Sequence, residues 1–146
     1  MTKKQEAMFT LIQDLVLAFV INSAATILNG GFTDTWVYLV GRFEAFSINT
    51  VAGIMFPVPK IGKSAADALK LKEGTFLHKF VRIFVINAIF VTIISFCIAL
   101  INCGPVSNIG SIWIKTYPIL HVVGLVTSLL SEDACIDLAK TIISEE

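Results

Sequence analysis

Charge is scarce in this sequence. Asp, Glu, Lys and Arg make up 15% of its 146 residues, against roughly 25% in an ordinary soluble domain. The 11 basic and 11 acidic residues cancel, which removes the basic excess that a nucleic-acid partner would require. Cysteine is limited to Cys97, Cys103 and Cys135. That odd number, with members expected on different sides of a membrane, argues against the disulfide framework of a small secreted domain. The two histidines, His78 and His121, have no second histidine or cysteine at ligand spacing. No phosphate-binding glycine loop, Cys-x-x-Cys pair or Gly-x-Ser-x-Gly elbow occurs. These absences argue against an enzyme, a resident metal and a cofactor.

What is present is apolar. Hydrophobic residues form 55% of the chain and the mean hydropathy is +0.81, so lipid rather than water is the expected solvent. The apolar positions number roughly 80, the count that four membrane-spanning helices of about 20 residues need. Four runs stand out. The first, Met8 to Leu28, holds one charge, Asp14, and stops at Asn29-Gly30-Gly31. The second, Trp36 to Phe56, holds Arg42 and Glu44 and stops at Pro57-Val58-Pro59. The third, Phe80 to Ile101, has Arg82 near its start and ends at Asn102-Cys103-Gly104-Pro105. The fourth, Ile109 to Leu130, carries Lys115 and His121. Backbone groups in hydrocarbon must pair within their own segment, so runs of this length are read as helices. The fold class predicted is an all-α membrane protein of four transmembrane helices.

Nine of the eleven basic residues fall on one side of that layout: Lys3, Lys4, Lys60, Lys63, Lys70, Lys72, Lys79, Arg82 and Lys140. The positive-inside rule then places both termini and the Lys-rich connection in the cytoplasm, in a cell membrane crossed several times. Lys3-Lys4, an apolar stretch and Ser23-Ala24-Ala25 imitate a cleaved signal peptide, but Gln13-Asp14 interrupts the apolar region, and a retained first helix is expected. Within 60–79, Ser64 to Lys70 is expected as a short helix lying on the membrane, with Ser64 as its N-cap. The tail from Ser131 is expected as a separate amphipathic helix with Ala134, Leu138 and Ile142 on its docking face.

The chain also repeats itself. Phe19-Val20-Ile21-Asn22 recurs 65 positions on as Phe84-Val85-Ile86-Asn87, and Trp36 aligns with Trp113 at 77. The expected organisation is one integral domain of two helical hairpins, residues 1–64 and 80–130, joined by the connection 65–79 and followed by the tail 131–146. The first and third helices run the same way, so the hairpins are parallel repeats. Lys-rich residues 1–7, Phe9-Thr10-Leu11, Asn29-Gly30-Gly31-Phe32, Trp36, Phe43, Phe46 and Pro57 ahead of Lys60 and Lys63 carry a resemblance. On them each half resembles a small bacterial two-helix membrane repeat known only as a domain of unknown function. The second half departs from that pattern, with Cys103-Gly104-Pro105 at its turn. The resemblance implies an architecture and no activity.

Polar residues inside the spans supply the candidate sites. Small and polar side chains at helical spacing (Asp14, Ala18, Asn22 and Thr26; Ala45, Asn49 and Gly53; Ala88, Thr92, Ser95 and Ala99; His121, Gly124 and Ser128) mark the faces where helices meet. Asp14 aligns with Lys79 in the repeat, and an ion pair of Asp14 with Lys79 or Arg82 is expected to clamp the halves together. With the tryptophans aligned, Glu44 and His121 each lie eight residues further along, about 12 Å into the hydrocarbon. A carboxyl and an imidazole at that depth have to be neutral or paired with one another, which is the chemistry a proton-coupled carrier uses. Glu44, His121, Asn49, Asn22 and Arg42 are therefore the candidates for a substrate path. The expected function is a small homo-oligomeric carrier of a small solute, with the lipid bilayer as its surroundings. The alternative is a structural or regulatory membrane protein whose polar stripes only hold helices together.

Overall fold

The computed structural model describes residues 1–28, 31, 34–56, 58–103 and 107–143, without the side chains of 102, 103 and 112. The turn residues Asn29, Gly30, Phe32, Pro57, Gly104 and Pro105, and the thiol of Cys103, lie outside the described residues. Among those described, the protein is helical with no strand: α1 Lys3–Leu28, α2 Thr35–Met55, α3 Val58–Ala68, α4 Phe76–Cys103 and α5 Ile109–Ile142. Three helices are long and apolar enough to cross a membrane, Lys3–Leu28, Phe76–Ile101 and Ile109–Ile142. Large apolar side chains such as Leu15, Phe19, Phe43, Ile54, Val122 and Leu130 face outward, as they do when lipid is the solvent. The fourth expected span, α2, has 21 residues but is diluted by Arg42, Glu44, Ser47, Asn49 and Thr50.

Local chemistry accounts for the helix ends. Gly31, at φ +88°, donates its N–H to Thr26 O and closes the last turn of α1. Asp34 caps α2, its Oδ1 accepting from the N–H groups of Trp36 (2.6 Å) and Val37 (3.2 Å). Lys70 takes the left-handed conformation (φ +55°) just past α3, and Leu71 N–H returns to Ala66 O. Thr75 Oγ1 then accepts from His78 N–H and starts α4.

α1 packs on α2 and α5, and α4 packs on α2, α3 and α5. The four long helices therefore form a ring in which α1 stands across the axis from α4, and α2 from α5. One apolar cluster joins α1, α2, α3 and α4 through Ala18, Ala45, Ala52, Val58, Phe90 and Ile94. A second joins α1, α4 and α5 through Leu17, Ile21, Val91 and Leu120.

Two expectations about the connections are corrected. The short helix starts at Val58 rather than Ser64, and it packs on α4 with Val58, Gly62 and Ala66 buried. Gly62 makes this possible: a Cβ there would lie 2.6 Å from Ile86 Cγ1 and 2.8 Å from Arg82 O. Ser64 is exposed inside the helix and caps nothing. Nor is the tail a separate helix, because α5 runs unbroken for 34 residues. Glu132, Cys135 and Ala139 are buried, whereas Ala134, Leu138 and Ile142 are exposed. Adding a turn to an existing helix costs less than nucleating a new one, so the tail inherits the packing face of α5 instead of choosing its own.

Candidate functional site

The polar side chains of the bundle are concentrated between the two helices of each hairpin. Between α1 and α2, Asn49 Nδ2 donates to Asp14 Oδ1 at 2.8 Å. Asn22 Nδ2 reaches Tyr38 O at 3.4 Å, and Ser23 Oγ lies 2.7 Å from Tyr38 Oη. Arg42 is held in the same seam: its guanidinium lies 3.6 Å from the Phe19 ring centre and 3.7 Å from that of Tyr38, and Nη2 donates to Ser23 Oγ. Two aromatic faces thus carry a charge that would be costly in hydrocarbon.

Between α4 and α5 the seam is built in the same way. Lys79 Nζ pairs with Glu132 (3.2 Å) and Asp133 (2.9 Å), and Arg82 Nη2 with Glu132 Oε1. Asn87 Nδ2 donates to His121 O at 2.9 Å and lies 3.2 Å from its Nδ1. Thr92 bonds the Tyr117 hydroxyl, and Trp113 Nε1 donates to Ser95 Oγ.

The contacts of one hairpin recur in the other. Asn22 meets Tyr38 O and abuts Gly41, while Asn87 meets His121 O and abuts Gly124. Asp14 bonds Asn49, and Lys79 pairs with Glu132. The spacing of the two asparagines, in α1 and α4, is 65 positions. That of the two glycines, in α2 and α5, is 83, not the 77 given by the tryptophans. The glycines set this register, since each lets an asparagine approach the opposite backbone, whereas Trp36 lies exposed at the rim.

Several expected partnerships are corrected by this geometry. Asp14 forms no ion pair with Lys79 or Arg82 among the described residues; each belongs to its own hairpin's seam, and both cations pair with Glu132 from α5, Lys79 with Asp133 as well. Glu44 and His121 do not meet, because α2 and α5 stand on opposite sides of the ring. In the packed register His121 corresponds to Tyr38, not to Glu44. Glu44 is half-buried and, among the described residues, forms no hydrogen bond or ion pair. His121 is stacked on Tyr117 (5.7 Å) with the edge of Phe84 against it (4.9 Å), and its Nε2 is buried without a partner.

Sequence reasoning placed Asn22, Asn49 and Arg42 on a substrate path; they lie in the α1–α2 seam. It missed Glu132, assigned to the first turn of a separate tail, although the stripe His121, Gly124, Ser128 continues to it at the next turn.

Two neighbouring hollows lie at the α3 end of the bundle. A cleft of about 440 Å³ is lined by Lys63, Glu73, His78, Lys79, Arg82, Glu132 and Asp133 among others. Lys63 Nζ bonds Glu73 Oε1 across it at 2.9 Å, which holds the lysine above and the carboxyl below their usual ranges. His78 Nε2 lies 3.1 Å from Asp67 and ties α4 to α3. A crevice of about 50 Å³ shares Arg82 and Glu132 with the cleft and extends past Ser128 to Asp14. A third hollow, apolar and about 360 Å³, lies on the outer face between α2 and α4. None of the three is lined by Glu44 or His121. No group of three or more metal-ligating side chains occurs among the described residues. No protein-family model, curated protein or solved structure matches the chain.

Proposed function

We propose that the chain is a four-span membrane protein of two parallel hairpins, with both termini and α3 on the cytoplasmic side, and that it works as a small proton-coupled carrier. A 21-residue α2 measures about 31 Å at 1.5 Å per residue, enough to cross the hydrocarbon. Its one cation is sheathed by Phe19 and Tyr38. The basic residues gathered at the α3 end support the orientation, and the recurring Asn–Gly contacts support a duplicated hairpin. A thin wall of four helices favours a homo-oligomer as the working form.

One observation carries the carrier reading. Hydrogen bonds and ion pairs hold each hairpin together internally, whereas the surfaces between hairpins, apart from the Gln5–Ile143 bond at the end of the α1–α5 wall, are apolar around a small crevice that reaches Asp14. In lipid, apolar helix faces gain little from meeting each other rather than acyl chains. Two rigid hairpins with a soft joint and a buried carboxyl at it are the parts that rocking-type transport requires. The test is proton flux in liposomes under an imposed pH gradient, read by a trapped pH-sensitive dye. Wild type is expected to dissipate the gradient with a countermoving solute, and Asp14→Asn to lose this while staying folded. Equal, leak-level flux in both overturns the reading.

The alternative, a structural protein acting through helix packing, is favoured by one observation: most polar groups within the seams already have partners. Glu44→Gln and His121→Ala separate the two. Neither residue lines the crevice, so carrier activity should survive both, whereas a scaffold would answer to His121→Ala through lost assembly.

A further inference from the structure

We propose that the cleft and the crevice form a water-filled half-channel from the α3 end to Asp14, with the Arg82–Glu132 ion pair as its gate and the proton as its ligand. The proposal deepens the carrier reading and rests on it.

Arg82 and Glu132 line both hollows, so the pair stands between the wide cleft and the crevice that reaches Asp14. A water needs about 10–15 Å³ of accessible volume; a crevice of about 50 Å³ therefore takes about three to five, a short chain. A hydrated solute would not fit. The Asp14 side chain is 4% exposed and Asn49 is fully buried.

The second observation concerns the acceptor. Asn49 Nδ2 donates to Asp14 Oδ1, but Asn49 Oδ1 is buried with no partner. A carboxylate has no hydrogen to offer it. A protonated Asp14 has one to offer, and its carbonyl oxygen can still accept from Asn49 Nδ2. The pair is thus built for the protonated acid, and the ionised form leaves a buried acceptor unmet. Loading is a plain transfer. Hydronium in the crevice gives its proton to the Asp14 carboxylate and remains as water; unloading reverses this.

The groups around the site fit the same reading. α2 brings Asn49 and Gly53 to Asp14, both uncharged, and α3 brings only Pro59 to the crevice. Arg82 from α4 is the one cation and Glu132 from α5 the one other acid. Because Arg82 is held by Glu132, it leaves Asp14 without a fixed counter-ion. When the pair parts, the guanidinium is free to turn toward Asp14, which would drive the proton off.

Infrared spectroscopy of the full-length protein in phosphatidylcholine–phosphatidylglycerol vesicles tests this. A protonated-carboxyl band absent from Asp14→Asn but present in Glu44→Gln is expected, falling as pH rises and shifting in D₂O. Ser128→Leu fills the crevice without touching the carboxyl, and should slow the deuterium shift about tenfold, equivalent to about 1.4 kcal/mol of barrier. Arg82→Gln should speed it. The proposal is overturned if no band is lost in Asp14→Asn, if the band ignores D₂O, or if Ser128→Leu exchanges as fast as wild type. Flux that fails while the band still titrates and exchanges overturns the carrier reading alone, and intact flux with a silent band overturns the half-channel alone.

Discussion

Glu132 and Asp133 are sequence neighbours that share a partner, Lys79, and they should differ sharply in what they contribute. The side chain of Glu132 is 4% exposed and accepts from both Arg82 and Lys79; that of Asp133 is 80% exposed and touches Lys79 alone. Glu132→Gln leaves two cations facing a neutral amide inside the seam. Removing one member of a buried ion pair costs about 3–5 kcal/mol. Lys79 and Arg82 are each 29% exposed and can turn partly to water, so the expected cost is at the low end, about 3 kcal/mol. Asp133→Asn breaks an exposed pair and should cost about 0–1 kcal/mol. Both are measurable by denaturant titration in mixed micelles, followed by the fluorescence of Trp113, which packs against Ser95 and Phe96. Combining each variant with Lys79→Met isolates the pairwise terms. A large coupling between positions 79 and 132 and a negligible one between 79 and 133 is expected. Equal costs for the two acids would refute the claim that burial, not proximity, sets the strength of this clamp.

Two further outcomes are expected. Gly62→Ala forces a Cβ against the backbone oxygen of Arg82 and should cost about 1–3 kcal/mol, seen as faster hydrogen exchange across α3; Gly110→Ala, which meets nothing within 4 Å, serves as the control, and unchanged protection of α3 would contradict the packing. In the cleft, Lys63 lowers the Glu73 carboxyl and is itself raised, so their bridge is present at neutral pH and is lost as acid passes below the usual carboxylate range or as alkali passes above the usual lysine range. An NMR titration of Glu73 should show its midpoint rise in Lys63→Met, and an unmoved midpoint would rule out the bridge.

How much of this was legible in the sequence depended on whether local or distant geometry decided it. The long apolar runs gave the helices, because run length answers directly to the hydrogen-bonding demand of lipid. Asn22 and Asn87 stood out through an identical four-residue context. The register of α2 against α5 did not, because the conspicuous matching residues were tryptophans, while the residues that fix the packing are Gly41 and Gly124, whose contribution is an absence of side chain. Asp14 and Lys79 stand at the same 65-position offset, but a shared offset is not contact. In a ring where α1 stands opposite α4, equivalent residues are the ones kept apart, and each turned to its own hairpin's partner. The tail misled for a simpler reason: Ser131-Glu132-Asp133 has the composition of a helix start, and only the buried pairing of Glu132 with Lys79 and Arg82 reveals it as the middle of one.

The ring also sets an order in time. The Asp14–Asn49 and Asn22–Tyr38 bonds span 35 and 16 positions, and Asn87–His121 spans 34, so each hairpin can close as soon as its own helices have been made. The α1–α5 wall cannot. It includes the bond from Gln5 Nε2 to Ile143 O, 138 positions apart, and it waits for α5. At about 5–20 residues per second, α1 must hold Leu17 and Ile21 against lipid or another protein for roughly 5–20 s before Leu120 of α5 covers them. During that interval the first hairpin is a half-finished surface, open to an insertion chaperone, to the α5 of another copy, or to proteolysis. α5, made after the helices it covers, is therefore also the one that decides whether a chain closes on itself or on its neighbour.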